Sequence, residues 1–100
     1  MPYGLKSLEL ETIISILKKF PEIEEAVLFG SRAMGKEKQG SDIDIALKGR
    51  YIDSAVYKIS HELNSESPLP YYFDILDYQT IENNDLKSHI ERVGKVIYAR

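Results

Sequence analysis

The sequence has 100 residues, of which 43% are apolar and 29% are charged. This length and composition predict one small folded domain over residues 1–100. We therefore expect any second lobe to come from another chain. Its net charge of −3 argues against a general nucleic-acid coat, and we expect no stable nucleic-acid binding. The absence of cysteine excludes a disulfide framework and fits a cytoplasmic location. The sequence has neither the layout of a signal peptide nor an apolar run of ~20 residues, so we expect no membrane attachment.

The first third of the chain predicts a helix followed by a buried strand. Apolar residues recur at helical spacing and form one stripe, which consists of Leu10, Ile13, Ile14 and Leu17. Ser7 is the predicted N-cap of this helix, and Pro21 follows its end. The short apolar run over residues 26–29, bounded by Gly30, predicts a buried strand.

Two aspartates share one face of the next predicted strand. The pattern alternates over residues 41–47, so Ile43 and Ile45 fall on one face while Asp42 and Asp44 fall on the other. Side chains on the same face of a strand are roughly 6–7 Å apart along the chain. Two negative charges at that spacing repel each other unless a cation lies between them.

The rest of the chain alternates between helix and strand. The pattern predicts a helix over residues 52–63, a turn-rich break over 64–70, a strand over 71–76, a helix ended by Gly94 and a strand over 95–99. In the third of these strands, Tyr72 and Asp74 lie on one face. The whole order predicts an α/β (α+β) fold in which helices flank a small mixed sheet.

Gly30 and Ser31 follow the first predicted strand directly. A glycine there lets the backbone turn sharply and lets a bulky anion approach. We expect Ser31 to cap a short helix over residues 32–34, whose first N–H groups would face phosphate oxygens. Gly-Ser pairs are also common in ordinary turns, so the pair alone does not distinguish the two interpretations.

Asp42, Asp44 and Asp74 together predict a site for a hard divalent cation. Mg²⁺ takes oxygen ligands and commonly uses one or two carboxylates plus the phosphates of a substrate. Three converging carboxylates can hold two such ions ~3.5–4 Å apart. The alternative is that these acids form the solvated face of a half-exposed sheet, but aspartate is poorly suited to the centre of a strand.

The segment 28–47, LFGSRAMGKEKQGSDIDIAL, combines these features at a fixed spacing. Gly30-Ser31, then ten residues, then Asp42-Ile43-Asp44 resembles the signature of the nucleotidyltransferase superfamily. GSRAMG followed by SDIDIAL is similar, more closely, to the minimal, MNT-type nucleotidyltransferases of the DNA polymerase beta-like superfamily, although Met34 replaces their usual second arginine. A later strand aspartate completes the metal site in that family, and Asp74 within FDILD is a better match than Asp77.

This resemblance implies a nucleotidyltransferase fold and the transfer of a nucleoside monophosphate, AMP from ATP, to a hydroxyl with release of pyrophosphate. The nucleotide-binding residues that it implies are Gly30, Ser31 and Arg32. The catalytic residues that it implies, which would also hold two Mg²⁺ ions, are Asp42, Asp44 and Asp74. The family further implies a helical HEPN-domain toxin as the partner and acceptor, with this chain as the antitoxin.

The same residues also occur in proteins with other functions. Asp-x-Asp also occurs in phosphatases with an aspartyl nucleophile and in sugar transferases, but neither explains Gly30-Ser31. A non-catalytic antitoxin would neutralise its partner by complex formation alone, with a vestigial metal site. The presence of all three acids and of the Gly-Ser pair favours an active enzyme. His61 and His89 are interpreted as structural or surface residues, because neither has a second ligand at a useful spacing.

Overall fold

The computed structural model describes residues 2–100, and within this range four strands form one mixed sheet. The strands are β1 (Glu25–Phe29), β2 (Ile43–Lys48), β3 (Phe73–Asp77) and β4 (Lys95–Ala99). Their order across the sheet is β3-β2-β1-β4, with β1 antiparallel to β2 and β4 and with β2 parallel to β3. The predicted small mixed sheet is confirmed.

Helices precede or connect these strands in the predicted order. They are α1 (Ser7–Leu17), α2 (Gly30–Ala33), α3 (Asp53–His61) and α4 (Asn84–Val93). Short 3-10 turns cover Pro2–Gly4 and Tyr78–Thr80, and a π-helical turn over Glu62–Glu66 extends α3. Throughout the described residues, every helix is too short or too polar to cross a membrane.

One face of the sheet carries the main hydrophobic core. The buried strand side chains on this face are apolar and come from alternate positions of β1, β2 and β3, namely Ala26, Leu28, Ile43, Ile45, Leu47, Phe73 and Ile75. They pack against α1 and α3 through residues such as Ile13, Leu17 and Ile59. Full burial of one such side chain contributes about 1.5–3 kcal/mol. A one-residue slip would expose the whole set, so this face fixes the register of the strands.

The opposite face is only partly covered, by α4. A second, smaller apolar cluster forms there from Val27, Phe29, Ala46 and Ile90. Antiparallel pairing places Asp44 directly opposite Phe29, and therefore on this same face, beside the part that α4 covers. We call this side of the sheet the open face.

Two predicted helix caps differ from the structure. Ser7 is the first residue of α1, and the N-cap is Lys6, whose backbone N–H donates to the Glu9 carboxylate at 2.9 Å. Ser31 lies inside α2 because that helix begins at Gly30, directly after Phe29. The left-handed φ of Gly30 (+74°) turns the chain sharply at the end of β1.

Candidate active site

Three aspartates lie near one end of the open face. Parallel pairing places Asp44 of β2 opposite Asp74 of β3. Asp42 is exposed and precedes β2, two residues before Asp44. Asp77, in contrast, is opposite Leu47 and accepts a hydrogen bond from the backbone of the following 3-10 turn. The structure therefore brings Asp74, rather than Asp77, to the predicted pair of acids.

Asp44 lies in surroundings that disfavour its negative charge. Partial burial raises the pKa of Asp44, and the neighbouring charges of Asp74 and Asp42 raise this pKa further. The positive charge of Arg32 acts on it in the opposite direction. A bound cation would relieve this repulsion, so the electrostatics of the site suit a positively charged ligand.

The carboxylates do not already form a tight metal-binding cluster. Within residues 2–100, no three acidic or histidine side chains stand close enough together to hold an ion. As the side chains stand, Asp44 and Asp74 form a pair and Asp42 lies two residues before Asp44, so the three-acid metal site stays a prediction. Asp42 and Asp74 are both exposed, so their side chains can change rotamer without disturbing the core. Carboxylate oxygens are the donor set that Mg²⁺ prefers, so the residues present fit this ion.

Gly30 makes room for the Asp44 carboxylate. Its φ of +74° lies in the left-handed region that favours glycine. A Cβ at this position would clash with Oδ2 of Asp44. The absence of a side chain at Gly30 therefore lets the acid approach the turn between β1 and α2.

His89 of α4 contacts the same glycine, a contact that the sequence interpretation missed. The backbone N–H of Gly30 donates to Nε2 of His89 at 3.2 Å. The imidazole also meets the Phe29 ring edge to face, with centroids 6.2 Å apart at 82°. One signal was present in the sequence: His89 follows Leu86 by three residues and precedes Ile90, so it shares the inner side of the helix.

Arg32 is buried, with 3% of its surface exposed, and it binds backbone carbonyl groups. Its guanidinium donates to the carbonyls of Ser41 and Asp42 on one side and of Tyr3 and Gly4 on the other, at 2.7–3.3 Å. The predicted nucleotide contact would require breaking these bonds. In the structure Arg32 therefore holds the backbone of Asp42 in place, and its contact with a nucleotide stays a prediction.

Tyr71 extends this network to α1. Its ring lies against the Arg32 guanidinium, 4.8 Å from the ring centroid, and its hydroxyl donates to the Glu9 carboxylate at 2.9 Å. Burial and this hydrogen bond raise the pKa of Tyr71, and the Lys6 backbone N–H lowers the pKa of Glu9. The N-terminal segment, α1 and the loop before β2 are thus joined around one buried cation.

Asn64 fixes the start of β3, another role that the sequence interpretation missed. Its side-chain amide donates to the Phe73 carbonyl at 3.0 Å and accepts from the Phe73 N–H at 2.7 Å. These two bonds imitate a neighbouring strand at the outer edge of β3. Because Phe73 directly precedes Asp74, Asn64 also sets the position of the third acid.

Taken together, paired carboxylates on adjacent strands, an Asp-x-Asp segment at the start of β2 and a Gly-Ser turn after β1 define the site of a nucleotidyltransferase. The family described as polymerase beta, nucleotidyltransferase matches residues 11–100, and the chain belongs to this family.

Similar proteins support the same assignment. The chain is 35% identical over 94 residues to the "Probable protein adenylyltransferase MntA" of Haemophilus influenzae, covering 93% of this chain and 82% of that protein. It matches a chain in a crystal structure of a toxin–antitoxin with AMP-PNP at a TM-score of 0.74 and 26% identity, over 91% of this chain and 73% of the other.

A third similarity concerns the fold. A chain in a complex of a tri-AMPylated Shewanella oneidensis HEPN toxin with an MNT antitoxin has a TM-score of 0.71 and 23% identity. That match covers 96% of this chain and 74% of the other. The nucleotidyltransferase fold expected from the sequence is thereby confirmed.

Proposed function

We propose that this protein transfers AMP from ATP to a hydroxyl of a partner protein, a helical HEPN-domain toxin, and so acts as its antitoxin. The observation that carries the proposal is the pairing of Asp44 with Asp74 beside the Gly30 turn. The similarity to a protein adenylyltransferase and to a toxin–antitoxin with AMP-PNP supports the donor and the kind of partner. ATP and such a partner would place the reaction in the cytoplasm.

The acidic residues would hold the divalent cation, Mg²⁺, with two ions in the complete site. Asp42 and Asp44 would bind both ions, and Asp74 would bind the ion nearer the acceptor. The raised pKa of Asp44 and its exposed acidic neighbours support this assignment, since a cation would relieve their repulsion. When bound, such ions neutralise phosphate charge and activate the attacking oxygen.

The chain's own groups would position the nucleotide at the turn after β1. The backbone and hydroxyl of Ser31 would bind the terminal phosphates, and Gly30 would allow their close approach. The acceptor oxygen then forms a bond to the α-phosphorus as the bond to pyrophosphate breaks. The hydroxyl proton passes to the carboxylate of Asp74, which is exposed on the edge strand β3.

The open face suits an acceptor that belongs to another macromolecule. Asp42 and Asp74 are both exposed, and α4 covers only part of this side of the sheet. Rate enhancement in such transfers comes largely from holding the two reacting groups together. A partner that docks against the open face would bring its own hydroxyl beside the nucleotide, which a free small acceptor would not do.

The test is intact-mass analysis of a HEPN-domain partner after incubation with this protein, ATP and Mg²⁺. We expect the partner to gain the mass of one or more AMP groups and to lose its toxicity. Asp42→Asn should abolish both changes, while Asp53→Asn, an exposed acid at the start of α3, should leave them intact. An unmodified partner, together with rapid modification of a nucleic-acid end or a small molecule, would refute the proposed acceptor.

The same experiment separates catalysis from simple complex formation. If the parent protein and Asp42→Asn neutralise the toxin equally and neither changes its mass, then neutralisation occurs by binding alone. The alternative interpretation from the sequence, a non-catalytic antitoxin, would then replace the enzymatic one.

A further inference from the structure

The turn between β1 and α2 depends on a residue far away in the sequence. The Gly30 N–H donates to Nε2 of His89, which is 59 residues later in the chain. An inward-pointing backbone N–H destabilises a fold unless it finds an acceptor. His89 supplies that acceptor from a different helix, and this bond fixes the direction in which the turn leaves β1.

Helix α4 holds the imidazole firmly in this position. The side chain of Asn83 caps the helix by accepting from the N–H groups of Asp85 and Leu86 at 2.9 and 3.1 Å. Ile90, the residue after His89, is 1% exposed and packs in the cluster beneath the helix. The helix cannot swing away from the turn without exposing Ile90, so His89 has little freedom.

The hydrogen bond also selects one tautomer of the neutral ring. Nε2 can accept only when it carries no proton, so the neutral ring must carry its proton on Nδ1. Because the Gly30 N–H already donates to His89, it is not available to a phosphate. The backbone and hydroxyl of Ser31 are then the groups of this turn that can bind the phosphates of a nucleotide.

We propose that His89 is a positioning residue for nucleotide binding: by holding the Gly30 N–H from α4, it orients the Gly30–Ser31 turn so that Ser31 faces the phosphates. This inference rests on the nucleotide-binding part of the proposed function and is independent of which acceptor receives the AMP. It gives α4 a part in the reaction beyond covering the apolar cluster.

A pair of substitutions isolates the hydrogen bond from the packing of the ring. His89→Phe keeps an aromatic ring against Phe29 but removes the acceptor, whereas His89→Gln keeps an acceptor oxygen. The measurement is the Kd of a non-hydrolysable ATP analogue in the presence of Mg²⁺. We expect His89→Phe to weaken binding about tenfold and His89→Gln to stay within about threefold of the parent.

A matched control comes from the second histidine of the chain, His61, which is exposed at the end of α3. His61→Phe should leave the Kd unchanged. In AMP transfer, His89→Phe should raise the KM for ATP more than it lowers kcat, because the substitution disturbs phosphate binding and leaves the acids in place. A folded His89→Phe protein that binds the analogue as tightly as the parent would overturn the inference.

A spectroscopic test does not require the Phe variant to fold. In the His61→Phe protein, His89 is the single imidazole, so its ¹⁵N NMR spectrum reports directly on the bond. We expect an unprotonated Nε2 both before and after the nucleotide analogue is added. A proton on Nε2 in either state would overturn the inference, as would a parent protein that binds no analogue. A parent that binds the analogue but modifies no partner would contradict the proposed function alone.

Discussion

The two faces of the sheet differ in what their side chains do. On the face under α1 and α3, the alternate residues of β1 and β2 and the first two of β3 are apolar and buried, and each adds to the stability of the fold. On the open face, the corresponding positions in β2 and β3 hold Asp44 and Asp74, which repel each other. The open face therefore lowers stability in order to keep charged groups together, which is typical of a site under functional constraint.

The largest expected effect comes from removing one charge on the open face. Asp44→Asn keeps the size of the side chain but should lower the rate of AMP transfer by about two to three orders of magnitude, because several kcal/mol of charge stabilisation is lost. The measurement is the initial rate of transfer from ATP labelled at the α-phosphate.

Asp77→Asn is the matched control, since Asp77 ends the same pair of strands but contacts the following turn. It should retain nearly the parent rate. Equal losses of transfer rate in Asp44→Asn and Asp77→Asn would mean that the effect comes from a folding defect. The paired acids would then have no special role compared with the rest of the sheet.

The next prediction concerns Arg32, the buried cation beside the open face. Arg32→Ala leaves several carbonyls without their donor, including those of Ser41 and Asp42, and should lower the free energy of unfolding by about 2–4 kcal/mol. Lys36→Ala, an exposed neighbour, should change it by less than about 0.5 kcal/mol. Both values come from urea unfolding. A stable Arg32→Ala protein with a raised KM for ATP would instead support the direct nucleotide contact expected from the sequence.

A smaller effect is expected from two glycines with the same backbone conformation. Gly30 and Gly40 have φ values of +74° and +81°, so Gly→Ala at either position should destabilise the protein by about 1–2 kcal/mol. A Cβ at Gly30 clashes with Asp44, whereas at Gly40 it would meet no heavy atom of the described residues within 4 Å. Only Gly30→Ala should therefore also reduce AMP transfer, as measured by the same rate assay at a temperature where both variants are folded.

The regular elements were predictable because their patterns are local. The segment Lys95–Ala99, which follows Gly94 and is rich in residues that favour strands, predicted the last strand with the bounds that the structure has. Alternation placed Asp44 on the opposite face of β2 from Ile43 and Ile45. The structure places Asp74, and not Asp77, opposite Asp44, as alternation within the strand predicts, because alternation decides which side chains share a face.

The contacts of the site were not predictable in the same way, because they join distant parts of the chain. Arg32 was expected at the nucleotide, yet its guanidinium binds carbonyls that only the folded N-terminal segment and the loop before β2 bring near it. His89 was given no specific role, because nothing local indicates that its ring meets Gly30. Amphipathic spacing reports which side of a helix is buried, but the partner on that side follows from the packing of the whole domain.

The smallest expected effect is the change in thermal stability that the charge of Asp44 causes on the open face. Burial and the charges of Asp74 and Asp42 raise the pKa of Asp44 above its ordinary value of 3.8. The folded state therefore binds this proton more tightly than the unfolded state, so the parent loses stability as the pH rises through the raised pKa and keeps it below pH 3.8. Asp44→Asn carries no charge and escapes this loss.

At neutral pH, without divalent ions, Asp44→Asn should accordingly melt above the parent, by on the order of a few °C because the carboxylate is partly solvated. Thermal melts of both proteins at neutral pH and at a pH near the ordinary pKa check this, and the difference should shrink on acidification. Asp53→Asn serves as the control, because it replaces an exposed acid at the start of α3. A difference that stays constant with pH would show that packing, and not charge repulsion, separates Asp44→Asn from the parent. Charge repulsion would then not be the reason that the open face lowers stability. The predicted loss of AMP transfer in Asp44→Asn would be unaffected by that result.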